Sequence, residues 1–381
     1  EDVKKLMAEL TPALHFSPNV RPSLETEDLD PAMNELAHMF AAIRKGQVRG
    51  VEELEAWSNG HLLPTSYAAG RMIRFLSSGA SGGVLGVDLG ASAASVAAGV
   101  TGELSLRTYP QFGLVENLAA LLQTTDLEDF VRWLSLDIHQ NVVRDHIYQK
   151  SLHPSILPAT PEERVIAQAI ARQTLHLALG AARKDFPPAA RALRPDLLPF
   201  FELILASGGA ITEAPTPGQS LLLLLDAIQP VGVTRFLLDR NNLLPLLGAA
   251  AEQNHLLPVH VIESGAFHNL AWTISVVSNA PYGTPVLQAR LQYADKNEAR
   301  VEVKHGSLEA LPLALGQTAR LSLQPLHRSD IGFGPGRAQT IKIEGGALGV
   351  VIDARGRPLQ LPSDAVRRRD LFKKWLWTLG G

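Results

Sequence analysis

Apolar and polar positions along this chain change their rhythm twice. After Asp30-Pro31, an N-cap and first-turn pair, Met33, Leu36, Ala37, Phe40 and Ile43 recur at helical spacing, and a second helical stretch runs over 65–76. A Gly/Ser connector fills 77–83, and behind it 84–90 is an apolar run short enough for a buried strand. Residues 94–100 and 103–108 read as a hairpin about Thr101-Gly102. Thr125 with Glu128, Thr160-Pro161 with Glu163, and Thr216-Pro217 with Gln219 all carry capping-box spacing at helix starts. Between the last two, 200–206 reads as a strand running into Ser207-Gly208-Gly209, followed by a strand at 234–239, a helix at 243–251 and a short strand at 259–262. Strands alternating with helical patterns predict an α/β layer with some parallel sheet. From Val286 the period becomes two, at 286–293, 299–303, 319–323 and 339–343, which predicts an antiparallel β module. The chain closes on a basic amphipathic helix over 367–377. The expected divisions are 1–80, 81–283, 284–365 and 366–381.

Composition narrows the classes. A chain of 381 residues with 46% hydrophobic and 19% charged positions is globular and long enough for two or three domains. A net charge of -3 supplies no global reason to bind nucleic acid or an acidic membrane. The absence of cysteine excludes disulfides, thiolate metal sites and cysteine nucleophiles, and points to the cytoplasm. No segment offers about 18 uncharged apolar residues in a row, so no transmembrane span is expected. The first residue is Glu1, as in a processed or truncated chain.

Two loops carry candidate chemistry. In VLGVDLGASAAS, a strand ends in Asp88-Leu89-Gly90-Ala91-Ser92. A carboxylate there stands beside a turn of small residues whose open amides suit a phosphate, and the carboxylate suits Mg2+ held through water. In LILASGGAIT, a strand ends at Gly208-Gly209-Ala210, where missing side chains let a base or ribose approach the backbone. Each string taken alone fits a tight connection with no ligand better than it fits a site. Their order, separated by helices, matches the second phosphate loop and the adenosine loop of the actin, Hsp70 and sugar kinase fold.

The succession ILASGGAIT, VTRFLLDRNNLLPLLGAAA, GGALGVVIDARGRPLQLP and RRRDLFKKWLW resembles the glutamate mutase L family, the MutL of cobalamin-mutase operons. The resemblance implies an α/β fold of the actin-like (ribonuclease H-like) ATPase class, with a helical N-terminal segment and an appended antiparallel β module. It implies ATP or ADP with Mg2+ as ligand. Asp88 would act as the catalytic and Mg2+ carboxylate, Gly90, Ala91 and Ser92 as phosphate donors, and Gly208, Gly209 and Ala210 as the adenosine side. By association it implies a chaperone-like helper that reactivates a cobalamin-dependent mutase or serves another protein partner. The oligomeric state is left open, a homo-oligomer among the options.

Two departures bear on activity. Nothing in 1–80 supplies the first phosphate loop of this fold, so that segment reads as the remnant or linker of a front half. Where the family pattern carries a hydroxyl pair and a second carboxylate, this chain has Ala93, Ala94 and Ser95. Phosphoryl transfer would use those groups for positioning and charge stabilisation, so ATP hydrolysis is expected to be weak or absent. The alternatives are a scaffold with a degenerate cleft and a sugar or acetate kinase. Asp239 and Arg240 read as a strand-end pair or helix cap in preference to cleft residues, Asp145-His146 as a surface pair, and 332–337 as a turn. For the closing helix two readings stand: Arg367, Arg368, Arg369, Lys373 and Lys374 with Trp375 and Trp377 address a membrane surface or a partner groove, or, as favoured, Leu371, Phe372, Trp375 and Leu376 dock on the chain while its charges face water.

Overall fold

The structure, a computed structural model, describes residues 7, 14–24, 29–58 and 62–380. Parts of the N-terminal segment at 1–6, 8–13, 25–28 and 59–61 lie outside the described residues, as does the capping side chain of Asp30. Helices α1 (Asp30–Gln47), α2 (Val51–Trp57) and α3 (Thr65–Gly79) lead into β1 (Val84–Leu89). β2 (Ala94–Val100) and β3 (Glu103–Tyr109) form the expected hairpin, with Thr101 at φ 52° and Gly102 at φ 85°. Next come α4 (Leu118–Leu121), α5 (Leu127–Val131), α6 (Gln140–Leu152) and α7 (Pro161–Ala182). A strand–helix alternation follows: β4 (Leu203–Ser207), α8 (Gly209–Thr212), α9 (Pro217–Ile228), β5 (Gly232–Leu238), α10 (Leu243–Ala250), α11 (Leu256–Glu263) and β6 (His268–Ser275). The tail holds β7 (Pro285–Tyr293), β8 (Glu298–Lys304), β9 (Leu308–Leu311), β10 (Thr318–Pro325), β11 (Gln339–Glu344), β12 (Val350–Asp353) and α12 (Ala365–Thr378).

The large sheet has the order β3-β2-β1-β4-β5-β6-β12-β9. β1 is antiparallel to β2 and parallel to β4, and β4 is parallel to β5. The five-strand portion β3-β2-β1-β4-β5, with β2 alone reversed, is the ribonuclease H-like arrangement of an actin-like ATPase half. It arises because β1 is apolar on both faces, as a strand roofed by helices on each side must be. Leu85, Val87 and Leu89 meet α7 and α9, whereas Val84 joins Met72 and Ile73 of α3 and Leu244 and Leu247 of α10. α9 is buried all round, a pattern confined to helices enclosed by the core. The α3–α10 contact is backbone to backbone, since a Cβ on Gly248 would stand 1.8 Å from the Ala68 carbonyl oxygen.

Tail strands alternate as expected for an antiparallel sheet with one wet face, and β11-β10-β7-β8 form that sheet. Its inner face packs Leu287, Leu291, Leu321 and Leu323 against Ile274, Val350 and Ile352 of the large sheet. β12 returns to pair parallel with β6, and β9 pairs antiparallel with β12, so two tail strands complete the large sheet. Two local expectations are corrected. The strand expected at 259–262 lies inside α11: Pro258 in its first turn and the Asn254 side chain, which accepts from the Leu256 and Leu257 amides at 3.0 and 3.3 Å, favour a helix over the β-branched run. The α5 N-cap is Asp126 rather than Thr125.

A buried ionic network joins tail to core. Arg355 donates to Asp353 at 2.9 and 2.8 Å and to Asp226 of α9 at 2.7 Å. Arg172 of α7 donates to Asp226 at 2.9 Å, and Arg357 to Asp353 at 2.7 Å. Burial works against the Asp353 charge, but the attraction and hydrogen bonds of Arg355 and Arg357 together outweigh it and hold its carboxyl far below the usual range. A carboxyl depressed in the folded state contributes stability above its unfolded pKa, about 3.9, and loses it as pH falls below that value. Stability measured by urea unfolding should therefore fall steeply below about pH 4. Asp353→Asn should cost about 3–5 kcal/mol at neutral pH, because it leaves buried guanidinium charge uncompensated.

Candidate functional site

The C-terminal ends of β1, β4 and β5 bring Asp88, Ser207 and Asp239 together on the α3/α10 face of the sheet. Asp88 and Ser207 are register partners, and the Ser207 hydroxyl donates to Asp88 Oδ1 at 2.7 Å. Asp239 is spent on structure: its two oxygens accept from the amides of Leu243 and Leu244 at 2.7 and 2.8 Å and so cap α10. Arg240 reaches Glu213 at 3.9 Å. Burial pushes the Asp88 carboxyl above the usual range, the Ser207 hydrogen bond acts in the opposite direction, and the charge of Asp239 adds to the rise.

The turn after β1 is closed by its own backbone. The Gly90 amide donates to the Ala93 carbonyl at 3.0 Å, so it is not free for a ligand in this geometry. The Gly90 and Ala91 carbonyls accept from the Leu114 and Val115 amides at 3.1 and 2.9 Å, and Ser92 Oγ donates to Glu116 at 2.6 Å. Carbonyls are thus turned toward 114–116, while the amides of Ala91, Ser92 and Ala93 have no acceptor among the described residues. Oδ2 of Asp88 lies beside this turn, 3.7 Å from where a Cβ on Gly90 would be. Ala94 is buried in the core, and the Ser95 hydroxyl pairs with Thr108 across the hairpin at 3.1 Å, so neither restores a carboxylate to the loop.

The second loop is pressed onto the first. Gly208 adopts φ 99°, and a Cβ there would stand 2.2 Å from the Leu89 carbonyl oxygen, which only glycine avoids. Beyond it α8 begins at Gly209, and Ser220 of α9 ties this turn down by donating to the Ile211 carbonyl at 2.7 Å.

Both loops open on one cavity of about 660 Å3, within the range of small-molecule sites. Gly90, Ala91, Gly209 and Ala210 line it; Asp88, Ser92 and Gly208 do not. Pro158, Leu157 and Pro215 supply an apolar end, and Arg164 of α7 and Lys150 and His146 of α6 supply cationic and imidazole groups. The sequence reading left out these residues and Glu116. His146 stood in a stretch read as surface, and Arg164 follows the Thr160–Glu163 capping box directly. Lys150 Nζ is occupied by the Pro154 and Ile156 carbonyls at 2.8 and 2.6 Å, whereas the exposed Arg164 guanidinium makes no hydrogen bond among the described residues. Burial lowers the basicity of both His146 and Lys150. Among the described residues no group of three or more His, Cys, Asp or Glu side chains converges as a metal cluster. His260 is exposed on α11, and the turn at 332–337 spends its Gly332 and Gly334 amides on Asp330.

The model of the MutL protein family matches residues 1–265, well over half of the chain. The chain belongs to the MutL family. The matched span takes in both glycine loops and ends just before β6, leaving the β tail and α12 beyond it. No curated protein matches the chain. Among solved structures, it is similar to the activator of the 2-hydroxyisocaproyl-CoA dehydratase from Clostridium difficile with bound ADPNP. The likeness is 13% identity over 53% of this chain and 68% of that one, at a TM-score of 0.27. At that score the fold assignment rests on the strand order of this MutL chain. No helix among its described residues is long and apolar enough to cross a membrane.

The raised Asp88 carboxyl yields a stability prediction with a definite sign. A carboxyl raised in the folded state binds its proton more tightly than in the unfolded chain, so its ionisation destabilises the fold as pH rises through that window. Asp88→Asn keeps an acceptor for Ser207 and removes the buried charge, so the thermal midpoint at pH 7 should rise. Gly208→Ala should lower it by several degrees, read in the same scan.

Proposed function

We propose that this chain binds ATP or ADP with Mg2+ in the cavity between the two glycine loops and serves a cobalamin-dependent mutase as a helper, with weak or no ATP hydrolysis. The observation that carries the reading is the shared cavity: Gly90 and Ala91 of one turn and Gly209 and Ala210 of the other line one space of about 660 Å3, and the Ala91 amide has no acceptor among the described residues. Free amides in a tight turn suit phosphate oxygens, and the apolar end at Leu157, Pro158 and Pro215 suits a base. The residues also fit Mg2+, which keeps several waters and needs few protein oxygens, and Asp88 Oδ2 stands beside the turn. Glu116, tied to Ser92, adds negative charge at the loop, which favours a phosphate already neutralised by the cation over a bare one. When bound, the cation would supply charge neutralisation at the phosphates. Gly90, Ala91 and Ser92 would hold phosphate, with Gly90 first releasing Ala93, and Gly208, Gly209 and Ala210 would face the adenosine.

Weak hydrolysis follows from what surrounds the turn. Ala93, Ala94 and the hairpin-paired Ser95 supply neither the second carboxylate nor the hydroxyl pair of the family pattern, and the Glu116 carboxylate at the loop is engaged by Ser92. The helper role rests on membership of the MutL family. Calorimetric titration with ATP and ADP should show Mg2+-dependent binding that Asp88→Ala weakens by at least about tenfold, equivalent to about 1.4 kcal/mol. Phosphate release should stay near background. Unchanged affinity in Asp88→Ala would remove the assignment of Asp88, and no binding of either nucleotide would favour a scaffold with a degenerate cleft.

A further inference from the structure

A separate cavity of about 780 Å3 lies between α5, α7 and the chain that leads from β12 into α12. We propose that it binds a small amphipathic carboxylate, held at its head by Arg132 and Arg368. Arg368 was expected to face water, but it is only 8% exposed, and its Nε is buried without an acceptor among the described residues. Arg132 Nε is buried and unpaired in the same way. Each guanidinium therefore has one N–H, at Nε, with nothing to receive it among the described residues, while its Nη2 already donates, to Gln173 at 3.0 Å for Arg132 and to Glu128 at 3.4 Å for Arg368.

The carboxylates already present approach from the rim. Glu128 stands 3.4 Å from Arg368 and Asp129 3.6 Å from Arg132, with side chains 65% and 39% exposed. Neither meets the unpaired Nε atoms. The two arginines also feel one another: after burial, and against the attraction of Asp129, the charge of Arg368 helps lower the basicity of Arg132. Like charges drawn together with free donors are relieved by an anion placed between them.

The rest of the cavity selects the kind of anion. Leu179, Leu197, Pro358 and Leu361 line it, and Trp133 packs its ring 4.8 Å from the Arg132 guanidinium. An apolar body attached to the anionic head would cover this surface. Glu128 and Asp129 at the rim disfavour a dianion, so a monocarboxylate fits better than a phosphate. The site shares no lining residue with the cavity between the glycine loops.

The test titrates the full chain with octanoate, with octanamide as its neutral analogue and with inorganic phosphate, followed by calorimetry and by tryptophan fluorescence for Trp133. Saturable octanoate binding is expected, at least about tenfold tighter than octanamide. Arg132→Met should weaken it by about tenfold, and Arg368→Lys, which keeps the charge but loses the fork, should do so as well. Circular dichroism confirms that both variants fold, and because Arg132 is partly exposed its variant remains informative if Arg368→Lys does not. Saturating ATP should leave octanoate affinity unchanged. Equal affinity for octanoate and octanamide, unchanged octanoate affinity in folded Arg132→Met, binding of phosphate alone, or no saturation up to about 10 mM would each overturn the proposal.

Discussion

The buried arginine–aspartate network is the constraint from which most of this architecture follows. Asp226 and Asp353 are fully buried and face Arg172, Arg355 and Arg357, so the enclosed cluster carries more positive than negative groups. The excess is absorbed by neighbours: Arg357 donates to the Pro230 and Gly356 carbonyls at 2.8 and 2.9 Å, and the Trp375 ring lies 4.6 Å from the Arg355 guanidinium. Such a cluster contributes little net stability against an apolar replacement, yet it is intolerant of losing one member. It therefore acts as a specificity device. β12 can enter the large sheet only where Asp353 and Arg355 meet Asp226, and α12 closes over them with Phe372 and Trp375.

The same helix that carries Asp226 also reaches the glycine loops. α9 holds Asp226 near its end and Ser220 near its start, and Ser220 bonds the turn after Gly208. Because α9 is buried on every side, it transmits position as a rigid rod. Tail, network and candidate nucleotide cavity are thus parts of one packed body, although the family match stops before the tail. Residues outside the matched span thus bond the helix whose Ser220 ties down the turn after Gly208.

Much of the layer order was legible in the sequence, for reasons visible residue by residue. Thr160 and Thr216 cap α7 and α9 as their spacing predicts, accepting from Glu163 and Gln219 amides at 3.2 Å each. The buried runs at 84–90 and 200–206 became neighbouring parallel strands, and the alternating tail became an antiparallel sheet. What local pattern could not reveal was pairing between distant segments. β9 and β12 are short and joined to the large sheet by contacts with no periodic signature, and β-branched 259–262 was governed by Pro258 and Asn254 rather than by its own propensity. Of the closing helix, Phe372 and Trp375 dock on the core, whereas Arg368 turns inward, a choice set by Glu128 and the Pro362 and Ser363 carbonyls.

The candidate site was legible only as two strings, because its chemistry depends on which backbone groups the fold leaves unpaired. Sequence offered Gly90, Ala91 and Ser92 as equivalent donors, yet the Gly90 amide is taken by Ala93 while those of Ala91 and Ser92 have no acceptor among the described residues. That difference arises from 114–116, which bind the Gly90 and Ala91 carbonyls and fix the turn with its amides outward. A phosphate reaching the Gly90 amide would have to break the bond to Ala93, whereas the amides at 91–93 are preorganised at no such cost. The turn is accordingly better suited to hold a phosphate than to wrap one, and Ala94 in the core with Ser95 spent on Thr108 is the ground on which binding without efficient turnover is proposed.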